Sequence, residues 1–284
     1  MDHFYLIANM TKDPGLKTAR MIQEFLEKKG KICRLREQEG TGEGSSYTSE
    51  CWVPDDTECI LVLGGDGTLI QAARDLVHKQ IPIYGINMGT LGYLTEVDHT
   101  SFAGALEKIV AGEYFVEERM MLKGQLFGPE GLICSDRALN DIVITRKGSI
   151  RVVRFNIYVN GEFLNRYTAD GILISTPTGS TAYNLSAGGP LAEPNASIMI
   201  LTPISPHTLN NRSIVLPADA RITVEAADGY DEKSGECIAS FDGAESGSLK
   251  PGERLEINKS SYTTKILRTS KVSFLEILRR KLSG

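Results

Sequence analysis

The chain has 284 residues, 41% hydrophobic and 24% charged, with a formal net charge of −5, enough for one large domain or two modest ones, with two expected. The mild acidity argues against nucleic acid as the main partner, because a duplex binder displays a basic surface. Five scattered cysteines without a CxxC pair, and four histidines far apart without an HExxH, fit reduced thiols in a cytoplasm better than a disulfide framework or a zinc site. No apolar run reaches the ~18 residues that span a bilayer, and Met1 to Met10 shows no basic leader with an apolar core. The expectation is a cytoplasmic protein with no membrane partner.

In chain order, His3 to Ala8 reads as a buried strand, Asn9 to Gly15 as a polar loop, and Leu16 to Gly30 as a helix with Ala19, Ile22, Phe25 and Leu26 on one face. Arg34 to Asp56 is polar and glycine-rich, a surface loop or flap tethered at its end by Cys51 and Trp52. The apolar run Cys59 to Leu63 then meets Gly64-Gly65-Asp66-Gly67-Thr68, behind which Leu69, Ile70, Ala73 and Leu76 recur at helical spacing. That is a strand-to-helix turn suited to phosphate: glycines let the backbone approach a ligand, and the helix N-terminus offers free N–H groups. A carboxylate in an anion site is out of place unless it binds a metal ion or takes a proton, so Asp66 reads as chemistry; the alternative is that it only caps the helix. A third strand, Ile81 to Ile86, leads into a second glycine-rich turn, Gly85 to Leu94, and a helix from Ser101 to Gly112 follows. Alternating strands and helices predict a parallel, doubly wound sheet with ligands at the carboxyl ends of its strands.

From Tyr114 the rhythm changes to strands separated by turns. Gly128 to Gly131 is one turn signal, and Asn160-Gly161 is a hairpin signal between Phe155 to Val159 and Phe163 to Tyr167. Further strands are expected at Arg137 to Thr145, Ile172 to Ser175, Ser197 to Pro203, Arg221 to Ala226, Cys237 to Phe241, Arg254 to Ile257 and Thr263 to Ile266. This half reads as a β-sandwich. Val272 to Leu282 reads as an amphipathic helix that packs back on the first domain, its Arg279-Arg280-Lys281 run favouring the helix C-terminus. The expected domains are 1–112, with 267–284 returning to it, and 113–266.

Asp170 to Pro190 contains Ser175-Thr176-Pro177-Thr178-Gly179-Ser180-Thr181-Ala182-Tyr183, dense in hydroxyls and glycines around an apolar strand. Such groups bind ribose, amide or phosphate, with Tyr183 available for stacking on a base; they also simply make turns.

With both stretches in view, the sequence strongly resembles the NAD kinase family, bacterial type. The match follows the family's order over nearly the whole chain: the 64–68 turn, Gly85-x-Asn87-x-Gly89-x-Leu91-Gly92, Asn140-Asp141, the 170–190 signature, Pro203 to His207, and Asp242-Gly243. The turn alone is weak evidence, since diacylglycerol and sphingosine kinases and phosphofructokinases have related ones. The 175–183 segment is highly specific.

The resemblance implies a phosphofructokinase-like α/β domain, an all-β sandwich-like domain, and a homodimer or homotetramer. It implies transfer of the terminal phosphoryl of ATP, or of polyphosphate, to the 2′-hydroxyl of the adenosine ribose of NAD, with Mg²⁺ or another divalent ion held mainly by the nucleotide. By position, Asp66 resembles the residue that activates the acceptor hydroxyl, with Gly67 beside it. Asn140 and Asp141 resemble the ribose-holding pair, Asp170 a residue near the nicotinamide amide, and Thr181, Ala182, Tyr183, Asn184, Leu185 and Ser186 the lining of the dinucleotide pocket. Arg151 falls where a basic residue meets phosphate, and Gly64, Gly65, Gly67 and Thr68 would take the donor. The family more often has Glu at 141, Phe at 93, and Gln or Arg at 244, so no contact is assigned to Ala244; His207 reads as structural. The alternatives are a lipid or sugar kinase sharing the turn, and a sensor that binds NAD or NADP without turnover.

Overall fold

The computed structural model describes residues 1–36, 48–90, 92–148, 153–207, 212–227 and 237–282. The chain divides into two compact units, Met1–Arg119 with Tyr262–Gly284, and Met120–Ser261. Among the described residues no helix is long and apolar enough to cross a membrane.

The first unit is built on parallel strands. β1 (His3–Ala8), β2 (Ile32–Leu35), β3 (Cys59–Gly64) and β4 (Ile83–Asn87) lie in the order β2-β1-β3-β4, every neighbouring pair parallel. The two-residue β5 (Val97–Asp98) also pairs with β4. β3 is buried along its whole length, as expected of a parallel strand covered on both faces, and its unbroken apolar run follows from that. Helix α1 (Lys17–Lys28) buries Ala19, Ile22 and Leu26, the i, i+3, i+7 stripe read from the sequence, and each fully buried Ile or Leu contributes roughly 1.5–3 kcal/mol. α2 (Asp66–Asp75) and α3 (Phe102–Val110) follow β3 and β5. Trp52 ends a short 3-10 turn, Glu50–Trp52, and its ring stacks on the Arg36 guanidinium; the rest of the polar segment between them, 37–47, lies outside the described residues. The order reverses between β1 and β3, and in an open α/β sheet that reversal opens a crevice beyond the strand ends.

The second unit is antiparallel. It begins within β6 (Phe115–Gly128), which pairs with β7 (Gly131–Ala138). One sheet carries β8 (Asp141–Arg146) between β11 (Gly171–Ser175) and β15 (Cys237–Phe241), with β12 (Ile198–Ile204), β13 (Ile214–Pro217) and β16 (Ala244–Leu249) outside them. The other joins β9 (Val153–Val159) to β10 (Glu162–Ala169) and β14 (Ile222–Ala227), and β14 to β17 (Arg254–Arg268). Phe155, Ile157, Val224 and Ile257 from this sheet and Ile142, Ile174, Leu201 and Phe241 from the other share one core, which makes the unit a β-sandwich. Asn160 and Gly161 have φ of 55° and 85°, the two positive values of a type I′ turn.

Three details differ from the sequence reading. Arg137 to Thr145 is two strands, broken at Leu139-Asn140. The stretches at 254–257 and 263–266 are one strand, β17, and Ser260 in the polar run between them is buried. β2, β5, β13 and β16 were not anticipated, and β2 takes Arg34 and Leu35 from the segment read as a surface loop.

Candidate active site

In the first unit, the chain leaves β1 and β3 at the sheet's reversal and forms two facing turns. Asn9 ties them together: its N–H donates to the Leu63 carbonyl (2.9 Å) and its side-chain amide to Thr68 Oγ1 (3.1 Å). Its own Oδ1 accepts the N–H groups of Thr11 and Lys12. This brings the Lys12 ammonium over Gly65, where a Cβ would lie 2.6 Å from Nζ. Gly64 is closed to a side chain, since a Cβ would stand 2.5 Å from Thr68 Oγ1 and 2.8 Å from its Cβ. Gly67 is exposed and has open space around it. Beyond them begins α2, whose first N–H groups have no intrahelical acceptors, so a cation and a positive helix end converge on one glycine-rich turn.

Asp66 is the first residue of α2, and its side chain makes no cap on its own helix. The carboxylate reaches instead to the turn that follows β4. Oδ2 accepts the Tyr93 N–H (2.7 Å), while Oδ1 accepts the N–H groups of Leu94 and Thr95 (3.2 Å each) and the Thr95 hydroxyl (3.4 Å). A carboxylate has about four lone-pair sites, so Oδ1 is filled and Oδ2 retains room for one more hydroxyl donor. Arg268 holds the same turn by its carbonyls, donating to Tyr93 and Leu94 (3.4 Å each). Arg268 is itself buried and paired with Glu96 (2.8 Å) and Glu117 (3.2 Å). Burial works to raise the Glu117 carboxyl, but Arg119 and Arg268 outweigh it and hold it below its ordinary range. Burial first, and the charge of Asp66 second, raise the Tyr93 phenol.

In the second unit, a cavity of about 370 Å³ opens at the break between β7 and β8, lined by Asn140, Asp141, Ala182, Tyr183, Asp242 and Gly243 among others. The Asn140 carbonyl accepts the Thr176 N–H (2.8 Å) and the Ser175 hydroxyl (3.3 Å), and the Leu139 carbonyl accepts the Thr176 hydroxyl (2.6 Å). Gly179 packs against the Asn140 backbone, leaving no space for a Cβ. Asp141 is buried, with 5% of the residue exposed; burial, and then the charge of Asp242, push its carboxyl up to about 7. A planar ring, an amide and a carboxyl group around one cavity suit a nucleoside.

Comparison with known proteins bears on both units. Residues 4–114 match the family described as the ATP-NAD kinase N-terminal domain, and residues 139–269 the ATP-NAD kinase C-terminal domain. An NAD kinase of Lachnospira eligens is 45% identical over 99% of this chain and 100% of its own. The chain belongs to the NAD kinase family. Membership makes it a phosphotransferase that acts on a hydroxyl group. An NAD kinase of Agathobacter rectalis is 42% identical over 100% of this chain and 99% of its own. Among solved structures, an NAD kinase from Archaeoglobus fulgidus in complex with ATP aligns with a TM-score of 0.75 at 25% identity, covering 99% of this chain and 98% of that one. Yeast NADH kinase complexed with NADH aligns with a TM-score of 0.85 over 100% of this chain and 88% of its own; at 22% identity it speaks for the NAD kinase fold alone.

The residues expected to act therefore fall into two groups. Gly64, Gly65, Asp66, Gly67 and Thr68 share the turn of the first unit. Asn140, Asp141, Ala182 and Tyr183 share the cavity of the second. Asn184 is fully buried and turned inward, its amide donating to the Pro190 carbonyl (2.9 Å) and accepting the Thr202 hydroxyl (2.8 Å). Thr181 donates its hydroxyl to the Thr178 carbonyl (3.2 Å), and Leu185 and Ser186 are exposed. Asp170 pairs with Arg146 Nε (3.0 Å). Arg151 lies outside the described residues. Sequence reasoning passed over Asn9, Lys12 and Arg268, and matched Asp242 to the family without giving it a role. A cation in the loop after the first parallel strand was the available signal for Lys12; the others act through partners remote in sequence.

Proposed function

We propose that the chain transfers the terminal phosphoryl of ATP to the 2′-hydroxyl of the adenosine ribose of NAD, giving NADP and ADP. The observation that carries this reading is the match of both halves to NAD kinase domains, with 45% identity to a curated NAD kinase over nearly the whole chain. The first unit is the nucleotide-binding unit and the second the dinucleotide-binding unit.

Phosphoryl transfer passes through a loose transition state, so alignment and charge neutralisation do most of the work. The Gly64–Thr68 turn, the α2 N-terminus and Lys12 supply backbone donors and positive charge for the donor phosphates. Mg²⁺ enters as the salt of ATP. No group of three or more His, Cys, Asp or Glu is gathered among the described residues, and a lone Asp66 suits an ion carried by phosphates and water rather than one caged by protein. Asp66 Oδ2 orients the acceptor hydroxyl and takes its proton late, as the oxygen–phosphorus bond forms and the hydroxyl becomes acidic.

Asn140 and Asp141 hold the ribose, Ala182 and Tyr183 lie against the dinucleotide, and Thr181, Asn184, Leu185 and Ser186 complete that segment. Asp170 serves the nicotinamide amide and Arg151 a phosphate. Inorganic polyphosphate is a second donor of the same chemistry. The working form is a homodimer or homotetramer in the cytoplasm, a compartment that suits the five free cysteines. Incubating purified protein with NAD, ATP and Mg²⁺ and weighing the product tests the reading. NADP is expected; NAD binding without NADP would mean a sensor, and phosphate on a lipid or simple sugar a different kinase.

A further inference from the structure

The hairpin turn between β15 and β16 has a task beyond reversing the chain. Asp242 and Gly243 have φ of 51° and 82°, and from that turn the Asp242 carboxylate accepts three consecutive backbone N–H groups: Leu139 (2.7 Å), Asn140 (2.7 Å) and Asp141 (3.1 Å). Its own N–H returns a bond to the Asp141 carbonyl (3.0 Å). Thr176 and Ser175 hold the same segment by its carbonyls, so the backbone at 139–141 is fixed from two sides. The Asn140 side-chain amide, by contrast, has no hydrogen-bond partner among the described residues, and it lines the cavity beside Asp141.

We propose that Asp242 is a positioning residue for the ribose of the dinucleotide: it sets the backbone from which Asn140 and Asp141 reach the sugar, and it stands as a like charge beside the Asp141 carboxyl that receives the ribose hydroxyls. The inference rests on the reading of Asn140 and Asp141 as the ribose-holding pair.

The electrostatics follow from the cavity wall. Asp141 and Asp242 both line it, the other polar side chains there are Asn140, Thr145, Tyr183 and Ser240, and among the described residues no cation lines it. Burial and a like charge both favour the neutral carboxyl in the free protein. Ribose hydroxyls are donors, and donors favour the carboxylate. Binding therefore converts Asp141 from acid to anion, its proton going to solvent, and burial first and Asp242 second set the cost of that step.

Titration calorimetry of NAD without ATP, at about pH 6 and about pH 8.5 in two buffers of different ionisation enthalpy, reads the proton directly. Wild type is expected to release most of one proton at the lower pH and almost none at the higher. Asp242→Asn turns an amide N–H₂ toward a backbone donor; it should bind NAD about tenfold more weakly, the scale of one charge-assisted hydrogen bond, with the KM for ATP unchanged. Because the like charge is gone, its proton release at the lower pH should fall below that of wild type. Asp141→Asn should release none. Equal affinity and equal proton release in wild type and Asp242→Asn would overturn the proposal. Should Asp242→Asn not fold, the other two proteins decide: no release in wild type, or the same release in Asp141→Asn, overturns it. Unchanged NAD affinity in both Asn140→Ala and Asp141→Asn would instead remove the ribose-holding pair itself.

Discussion

Gly92→Ala isolates the geometry of Asp66 without touching its chemistry. A Cβ at position 92 would fall among all three atoms of the Asp66 carboxyl group, roughly 1 Å inside the 3.0 Å that real Cβ atoms keep. The conflict is with a side chain, so it can be relieved, but only by moving the carboxylate about 1 Å or swinging the 92–95 turn away. Either movement strains bonds that run from 2.7 to 3.4 Å and misplaces Oδ2. A misplacement of that size costs on the order of 10²-fold in rate. Weakening one or two charge-assisted hydrogen bonds costs about 1.5–3 kcal/mol each, which a folded unit of this size tolerates. The expected result is a folded protein with turnover down about 100-fold and NAD binding close to normal. The assay is steady-state NADP formation alongside thermal melting and NAD titration. Turnover within threefold of wild type would refute the reasoning that Gly92 exists to admit Asp66.

Asp66→Asn should lower turnover by at least ~100-fold, the scale for losing a positioned proton acceptor, while NAD binding stays within a few fold; near-normal turnover would remove Asp66 from the mechanism. Arg268→Met leaves Glu96, with 5% of its side chain exposed, buried without its guanidinium and should destabilise the fold by roughly 3–5 kcal/mol, read as a fall in the urea midpoint; an unchanged midpoint would show the network to be dispensable. Asp141, raised from 3.8 to about 7 in the folded state, contributes stability that is full below pH about 4 and is lost as pH rises through about 7. Replacing it with Asn should flatten the wild-type loss of stability across that window, measured as unfolding free energy against pH; identical slopes would mean the carboxyl titrates normally.

How much the sequence disclosed depended on the range of the interactions. The 64–68 turn was legible because strand, glycines and helix are contiguous, and Asn160-Gly161 because a two-residue turn carries its own φ requirement. What Asp66 bonds to was not legible: its partners, Tyr93 to Thr95, come more than 25 residues later, and local reading offered only a helix cap. The break at Leu139-Asn140 was hidden for the same reason. Nothing in Arg137 to Thr145 interrupts a strand; the interruption is imposed by Asp242, about a hundred residues on. Asn184 shows the converse, since a hydroxyl-rich segment suggests a polar lining, yet its amide faces Thr202 in the interior. The two strands expected at 254–257 and 263–266 run on as one, and Ser260 in the polar run between them is buried.

The acceptor hydroxyl is the account's central claim, and NAD lacking the 2′-hydroxyl of its adenosine ribose tests it. Its bases, pyrophosphate and second ribose keep their partners, so the analogue should compete with NAD for binding within a few fold. With ATP and Mg²⁺ present, its mass should not change while NAD in a parallel reaction gains one phosphate. Phosphorylation of the analogue at another hydroxyl, at a rate comparable with NAD, would contradict the assigned acceptor and with it the roles of Asp66, Asn140 and Asp141.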